Sequence, residues 1–143
     1  MDEFLLKLGM PDDARFELIS AFTEKRMNPG DVLFDYRDTA KTLYFVKEGS
    51  LAVHKFTGFL EKMQVIALLD SGAVIGEAAM LNGHLRKTRI TAIKKSIVAC
   101  LGKDDFESFS RKFPRSGFVF LEYLFLTATL RLEKTSDRLA RIL

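Results

Sequence analysis

Three residues near the middle of the chain have the types and spacing to hold a sugar-phosphate. Gly76 is followed at once by Glu77, and Arg86 comes nine residues after that carboxylate. A glycine lets the backbone approach a ligand closely because it has no Cβ. A glutamate accepts hydrogen bonds from sugar hydroxyls. An arginine presents a planar fork of donors that fits phosphate oxygens. Ala78 and Ala79 follow the carboxylate and read as one short helical turn. The first amides of such a turn point outward unpaired and favour anions.

The elements that must position these residues fall into three regions. Residues 1–28 read as helical. Pro11-Asp12-Asp13 offers a cap and first-turn acids, and Phe16, Leu18, Ile19 and Phe22 recur at helical spacing. Asn28-Pro29-Gly30 stops the helix. Residues 29–101 read as short strands over 32–34, 43–46, 50–53, 64–69, 90–93 and 96–101, separated by turn residues. Strands repeating at roughly 8–12 residues imply an antiparallel sandwich or barrel. Residues 102–143 read as helical again. Asp104-Asp105-Phe106-Glu107 starts a helix, Phe113-Pro114 interrupts it, and Ser116 or Gly117 opens a long helix that runs to the end.

That last helix carries Phe118, Leu121, Phe125, Ala128, Leu132, Thr135, Leu139 and Ile142 at alternating steps of 3 and 4. Heptad spacing of this kind keeps one seam facing a partner. Val119, Phe120, Tyr123, Leu124 and Leu126 widen the first half beyond a seam, so that half is expected to pack on its own domain as well. The helix either folds back on the barrel or pairs with a second copy in a homodimer; the homodimer is the preferred reading.

Composition bounds the function. A chain of 143 residues, 48% hydrophobic and 29% charged, is one soluble-type domain with a real core. A net charge of +3 is too weak by itself to argue for nucleic acid. The basic residues Arg86, Lys87, Arg89, Lys94 and Lys95 lack interleaved aromatics and read as a solvated strand face. The single cysteine, Cys100, excludes an intramolecular disulfide, favours a reducing compartment and reads as a small core residue. No apolar run reaches the roughly 18 residues of a membrane span. Met1-Asp2-Glu3 has the wrong sign for a secretory signal, so a cytoplasmic location is expected. His54 and His84 read as surface or loop residues, not metal ligands. No nucleophile set, Walker loop or metal motif is present, so no enzyme and no cofactor are expected.

Several segments, in order and with matched spacing, resemble one family. Asn28-Pro29-Gly30-Asp31-Val32-Leu33-Phe34 is similar to the opening turn and first strand of a cyclic nucleotide-binding domain. The segment 43–53 resembles the next hairpin, with Gly49 in its turn. The segment 69–77 leads into 76–89, which resembles the phosphate-binding cassette. The resemblance covers the chain from about Leu18 to Leu143 and includes both the catabolite activator and the protein kinase A regulatory subunit branches.

The resemblance implies an α+β, mainly β fold: a jelly-roll β-barrel (double-stranded β-helix) flanked by N-terminal helices and a long C-terminal helix. It implies one domain over 1–143, with the barrel at 29–101 and helices at 1–28 and 102–143. By the same resemblance, Gly76 and Glu77 receive the ribose, Glu77 at the 2′-hydroxyl, and Arg86 pairs the cyclic phosphate. Ala78 and Ala79 form the turn whose amides face the ligand. Thr135-Ser136 sits where the catabolite activator branch has a pair contacting the base. Two departures stand out. Lys87 follows Arg86 where the family usually has a small residue before alanine or threonine, with Thr88 and Arg89 behind it, which makes Lys87 either a surface charge or a second phosphate ligand. Arg37 takes a turn position where the family commonly has glycine. If Ile90 and Ala92 face the interior, alternation puts Thr88 and Arg86 on that side and Lys87 and Arg89 outside.

The expected function is that of a cyclic nucleotide sensor. Its ligand is cyclic AMP first and cyclic GMP second, with a cyclic dinucleotide behind both. Output is expected through the C-terminal helix. The alternative is a degenerate jelly-roll interaction module in which Glu77 and Arg86 pair with each other. No DNA-binding helix-turn-helix follows the long helix, so the chain is either the sensor part of a regulator or a protein whose output is dimerisation or a partner.

Overall fold

In the computed structural model, which describes residues 1–58 and 62–143, the chain divides into two units, residues 20–105 and residues 1–19 with 106–143. The first unit holds the strands. They are β1 (Thr23–Met27), β2 (Val32–Phe34), β3 (Thr42–Glu48), β4 (Ser50–Phe56), β5 (Met63–Asp70), β6 (Val74–Ile75), β7 (Arg89–Ala92) and β8 (Ser96–Gly102), with a 3-10 turn at Glu77–Met80 between β6 and β7. They form two four-stranded antiparallel sheets, ordered β1-β8-β3-β6 and β2-β7-β4-β5. Odd and even strands interleave in this way in a jelly roll, the expected fold.

Alternation along the strands supplies the core. Ile90 and Ala92 of β7 are buried, as are Leu51 of β4, Val46 of β3 and Val98 of β8. With Met27, Leu33, Phe34 and Ile75 they make one cluster fed by both sheets. Burying such side chains is worth about 1.5–3 kcal/mol each, so this cluster is the main source of the unit's stability. Cys100 packs at the edge of the cluster, half-buried. Burial pushes its thiol pKa up, which keeps it protonated and unreactive.

Two strands were not legible as strands. Residues 23–27, expected to continue a helix, are β1 instead. Only Met27 of that strand is buried. β1 lies at the edge of its sheet, and its five residues pair with β8 from Thr23↔Cys100 to Met27↔Ser96. The backbone ladder places it, not its own hydrophobic pattern. β6 is two residues long and pairs with Tyr44 and Phe45 of β3. His54, expected on a surface or loop, lies in β4, and its Nε2 stands 2.9 Å from the Thr91 hydroxyl.

The other unit carries α1 (Asp2–Lys7), most of α2 (Asp12–Ala21) and α3 (Lys103–Lys112), and α4 (Pro114–Ile142). Asp12 and Asp13 do occupy the first turn of α2, and Asp12 pairs with Arg15 at 2.7 Å. α4 starts at Pro114, earlier than Ser116 or Gly117. Proline is accepted there because first-turn amides have no intrahelical partner to lose. Phe120 and Leu124 are the buried large side chains of α4, and the Phe120 ring lies 5.4 Å from that of Phe106 on α3. Tyr123 meets Phe4 of α1 edge-on at 4.6 Å. The heptad row itself is exposed: Phe125 is 75% and Ile142 80% open to solvent.

Candidate functional site

The site grows from one backbone irregularity. β6 ends at Ile75, and Gly76 turns the chain with φ 79 before the 3-10 turn begins at Glu77. That left-handed conformation is strained for a side chain with a Cβ. The carbonyl oxygen of Gly76 accepts two hydrogen bonds, from the Ala79 amide at 2.9 Å and from Arg86 Nη1 at 3.1 Å. A Cβ at Gly76 would stand 2.7 Å from the same Nη1. The guanidinium therefore lies directly over the bare Cα.

Three further contacts hold Arg86. Its Nη2 donates to the Thr42 carbonyl at 2.5 Å, and its Cζ stands 4.1 Å above the centre of the Phe34 ring. The Phe34 ring in turn stacks on Tyr44 with centroids 6.0 Å apart. The Arg86 main chain is tied to the loop after β2: its amide donates to Asp38 O at 2.7 Å, and its carbonyl accepts from the Arg37 amide at 2.8 Å. Thr39 and Leu85 form a bridge alongside, and the Ala40 amide donates to His84 O at 2.8 Å. Arg86 is 5% exposed.

The electrostatics are unusual. The hydrogen bonds of the guanidinium go to neutral carbonyls, and among the described residues no carboxylate is in contact with it. Burial lowers the Arg86 pKa, while Tyr44, Glu77 and Asp38 oppose the shift through their fields. Arginine nonetheless stays protonated. A buried cation with no ionic partner is costly, and an anion beside it removes the cost. Burial also pushes the Tyr44 hydroxyl pKa up, so Tyr44 stays neutral and can donate a hydrogen bond.

Of the residues expected at a site, Gly76, Glu77, Ala78, Ala79 and Arg86 come together at the end of β6. Glu77 is half-buried at the first position of the 3-10 turn, and Ala79 is fully buried. Lys87 is exposed and Thr88 half-buried. Thr135 and Ser136 belong to the other unit, exposed on α4, where the Thr135 hydroxyl donates to Arg131 O at 2.9 Å. Arg37 adopts φ 74, the one left-handed non-glycine among the described residues. That is the physical content of a glycine being usual there. Sequence reasoning missed Phe34, Thr42 and Asp38. Thr42 and Asp38 act through backbone carbonyls, which leave no mark in residue type. Phe34 could have been found, because strand alternation already placed an aromatic at the end of β2. It also missed the pairing of Arg89, expected to face outside, with Asp35 at 2.8 Å.

The comparisons bear on family and fold. Residues 24–113 match the family model for the cyclic nucleotide-binding domain. The chain is 32% identical over 104 residues to the cyclic nucleotide-gated channel alpha-2 of Bos taurus, covering 68% of this chain and 15% of the channel. It is 33% identical over 110 residues to a cAMP-dependent protein kinase regulatory subunit of Yarrowia lipolytica, covering 74% of this chain and 28% of that protein. The chain thus spans well under a third of the curated relatives it matches. Among solved structures, a cyclic nucleotide-binding domain from Methylobacillus flagellatus superposes with a TM-score of 0.85 over 96% of this chain and 83% of that one, at 22% identity. Among the described residues no helix is long and apolar enough to cross a membrane. With the jelly roll, the glycine-carboxylate turn and the buried arginine all in place, the chain belongs to the cyclic nucleotide-binding domain family.

Proposed function

We propose that this domain is a regulatory sensor, not a catalyst, that binds a 3′,5′-cyclic nucleotide on Arg86 and signals through movement of α4. One observation carries the reading: a buried guanidinium whose hydrogen bonds go to carbonyls and which, among the described residues, has no ionic partner in contact. The cyclic phosphate supplies that partner. Arg86 has donors left over after its two carbonyl bonds, because a guanidinium carries five N–H groups. The bare Cα of Gly76 leaves room for the guanidinium that meets the phosphate, and Glu77 accepts from the ribose 2′-hydroxyl. Ala78 and Ala79 line the turn, with Thr88 beside Arg86. Lys87, being exposed, serves as a surface charge, or as a second phosphate contact if the ligand is a cyclic dinucleotide. Cyclic AMP is the first candidate and cyclic GMP the second.

Thr135 and Ser136 contact the base in this reading, which gives the ligand a differential hold on α4. Such a difference is what a ligand needs to shift a conformational equilibrium. α4 also pairs with a second copy through its exposed heptad row. The reading treats 1–143 as one cytoplasmic sensor module, serving either a transcription regulator or another partner.

Titration calorimetry with cyclic AMP, cyclic GMP and a cyclic dinucleotide tests the ligand. Arg86→Ala is expected to weaken binding by about 2–5 kcal/mol, because it removes one partner of a buried charge pair. Unchanged affinity in that variant rejects the phosphate role. Failure of every nucleotide to bind transfers the case to the interaction module.

A further inference from the structure

We propose that Asp35 and Arg89 form a positioning pair that aims Arg86, by clamping the loop of residues 35–38 against the arginine's backbone. The inference rests on the reading of Arg86 as the phosphate ligand and adds residues that the reading does not use. Arg89 meets Asp35 with both ends of its fork, Nε to Oδ1 at 2.8 Å and Nη2 to Oδ2 at 3.1 Å. Asp35 Oδ1 also accepts from the Tyr36 amide at 2.7 Å, and the Asp35 amide donates to Asp38 Oδ2 at 2.9 Å. Asp38 and Arg37 then grip the main chain of Arg86 at 2.7 and 2.8 Å. The links close a ring from Arg86 through the loop to Arg89, three residues further along the chain. Arg89 sits beside buried Ile90 in β7, so the ring is anchored to the core. The hydrogen bonds from Arg89 hold the Asp35 pKa down, which keeps the pair charged.

Two observations separate this role from plain stapling of strands. β2 and β7 are already joined by their own ladder at Val32↔Thr91 and Phe34↔Ile90. In addition, Arg37 is held at φ 74, a strained conformation that persists only where the surroundings over-determine it. The pair constrains the loop beyond what strand pairing requires.

The test uses Asp35→Ala, Arg89→Ala, the double variant and Arg89→Lys, each checked for native circular dichroism. Cyclic AMP affinity is measured by calorimetry, and the Arg86 Nε–H signal is followed by NMR without ligand. Each single alanine variant is expected to weaken binding roughly threefold to tenfold, with the double no worse than either single, because the two act as one unit. Arg89→Lys recovers part of the loss. In an Arg86→Ala background, Asp35→Ala changes the residual affinity less than about twofold. The Arg86 signal, distinct in the wild type, moves to the position of a solvated arginine in Asp35→Ala. Wild-type affinity in the single variants, additive losses, or an unmoved Arg86 signal would each overturn the proposal. If the wild-type chain binds no cyclic nucleotide, the ligand reading fails, and the NMR measurement alone decides whether the pair positions Arg86.

Discussion

Arg86 donates to the Gly76 carbonyl, and its guanidinium fills the space that a Cβ at Gly76 would need. The glycine's φ of 79 costs any residue with a Cβ about 1–2 kcal/mol. The added methyl would also stand 2.7 Å from Nη1 and push the guanidinium off its seat. Gly76→Ala is therefore expected to lower stability by about that 1–2 kcal/mol in a denaturant melt. It should lower cyclic nucleotide affinity by more than tenfold in the same preparation, since the displaced fork no longer meets the phosphate. A variant that melts early yet binds normally would separate the glycine from the site. Glu77 is half-buried, whereas Arg86 is buried with its hydrogen bonds on carbonyls, so the arginine dominates the chemistry.

At the scale of elements, the hairpin β3–β4 illustrates how tightly the sheets constrain their turns. Gly49 has φ 101, and a Cβ there would fall 2.1 Å from Ser96 Oγ and 2.6 Å from Ser96 Cα. The side-chain atom could swing away; the backbone atom cannot. Ser96 Oγ also accepts from the Ser50 amide at 3.1 Å and donates to Lys94 O at 2.9 Å. Gly49→Ala is expected to destabilise the domain by about 2–4 kcal/mol, from left-handed strain and overpacking together. Urea titration measures it, and a loss under about 0.5 kcal/mol, the range of an ordinary surface substitution, would contradict the crowding seen at this turn.

For the whole molecule, the open question of output turns on α4. Its buried row, Phe120 and Leu124, serves its own unit; its exposed row, including Phe125, Leu132 and Ile142, has nothing of comparable size over it among the described residues. An exposed row of large apolar side chains at heptad steps is suited to facing a helix partner. A homodimer through that stripe predicts that Leu132→Asp sediments as a monomer while the wild type sediments as a dimer. A wild-type monomer at high concentration removes the proposed assembly without touching the ligand site.

What the sequence by itself determined was whatever is written in local pattern. β-rich runs between turn residues marked six strands, heptad steps marked the exposed row of α4, and the spacing of glycine, carboxylate and arginine picked out residues that meet at the end of β6. The family resemblance marked Arg37 as a side chain at a turn where glycine is usual, and the structure supplied its left-handed φ of 74. Only the tertiary structure decided the rest, because those features depend on partners distant in sequence. β1 is a strand because β8 pairs with it, although four of its five side chains face solvent. Arg86 is seated by the Thr42 and Gly76 carbonyls, and backbone oxygens look alike in every residue. Asp35 and Arg89 meet across 54 positions, and no local window joins two such charges.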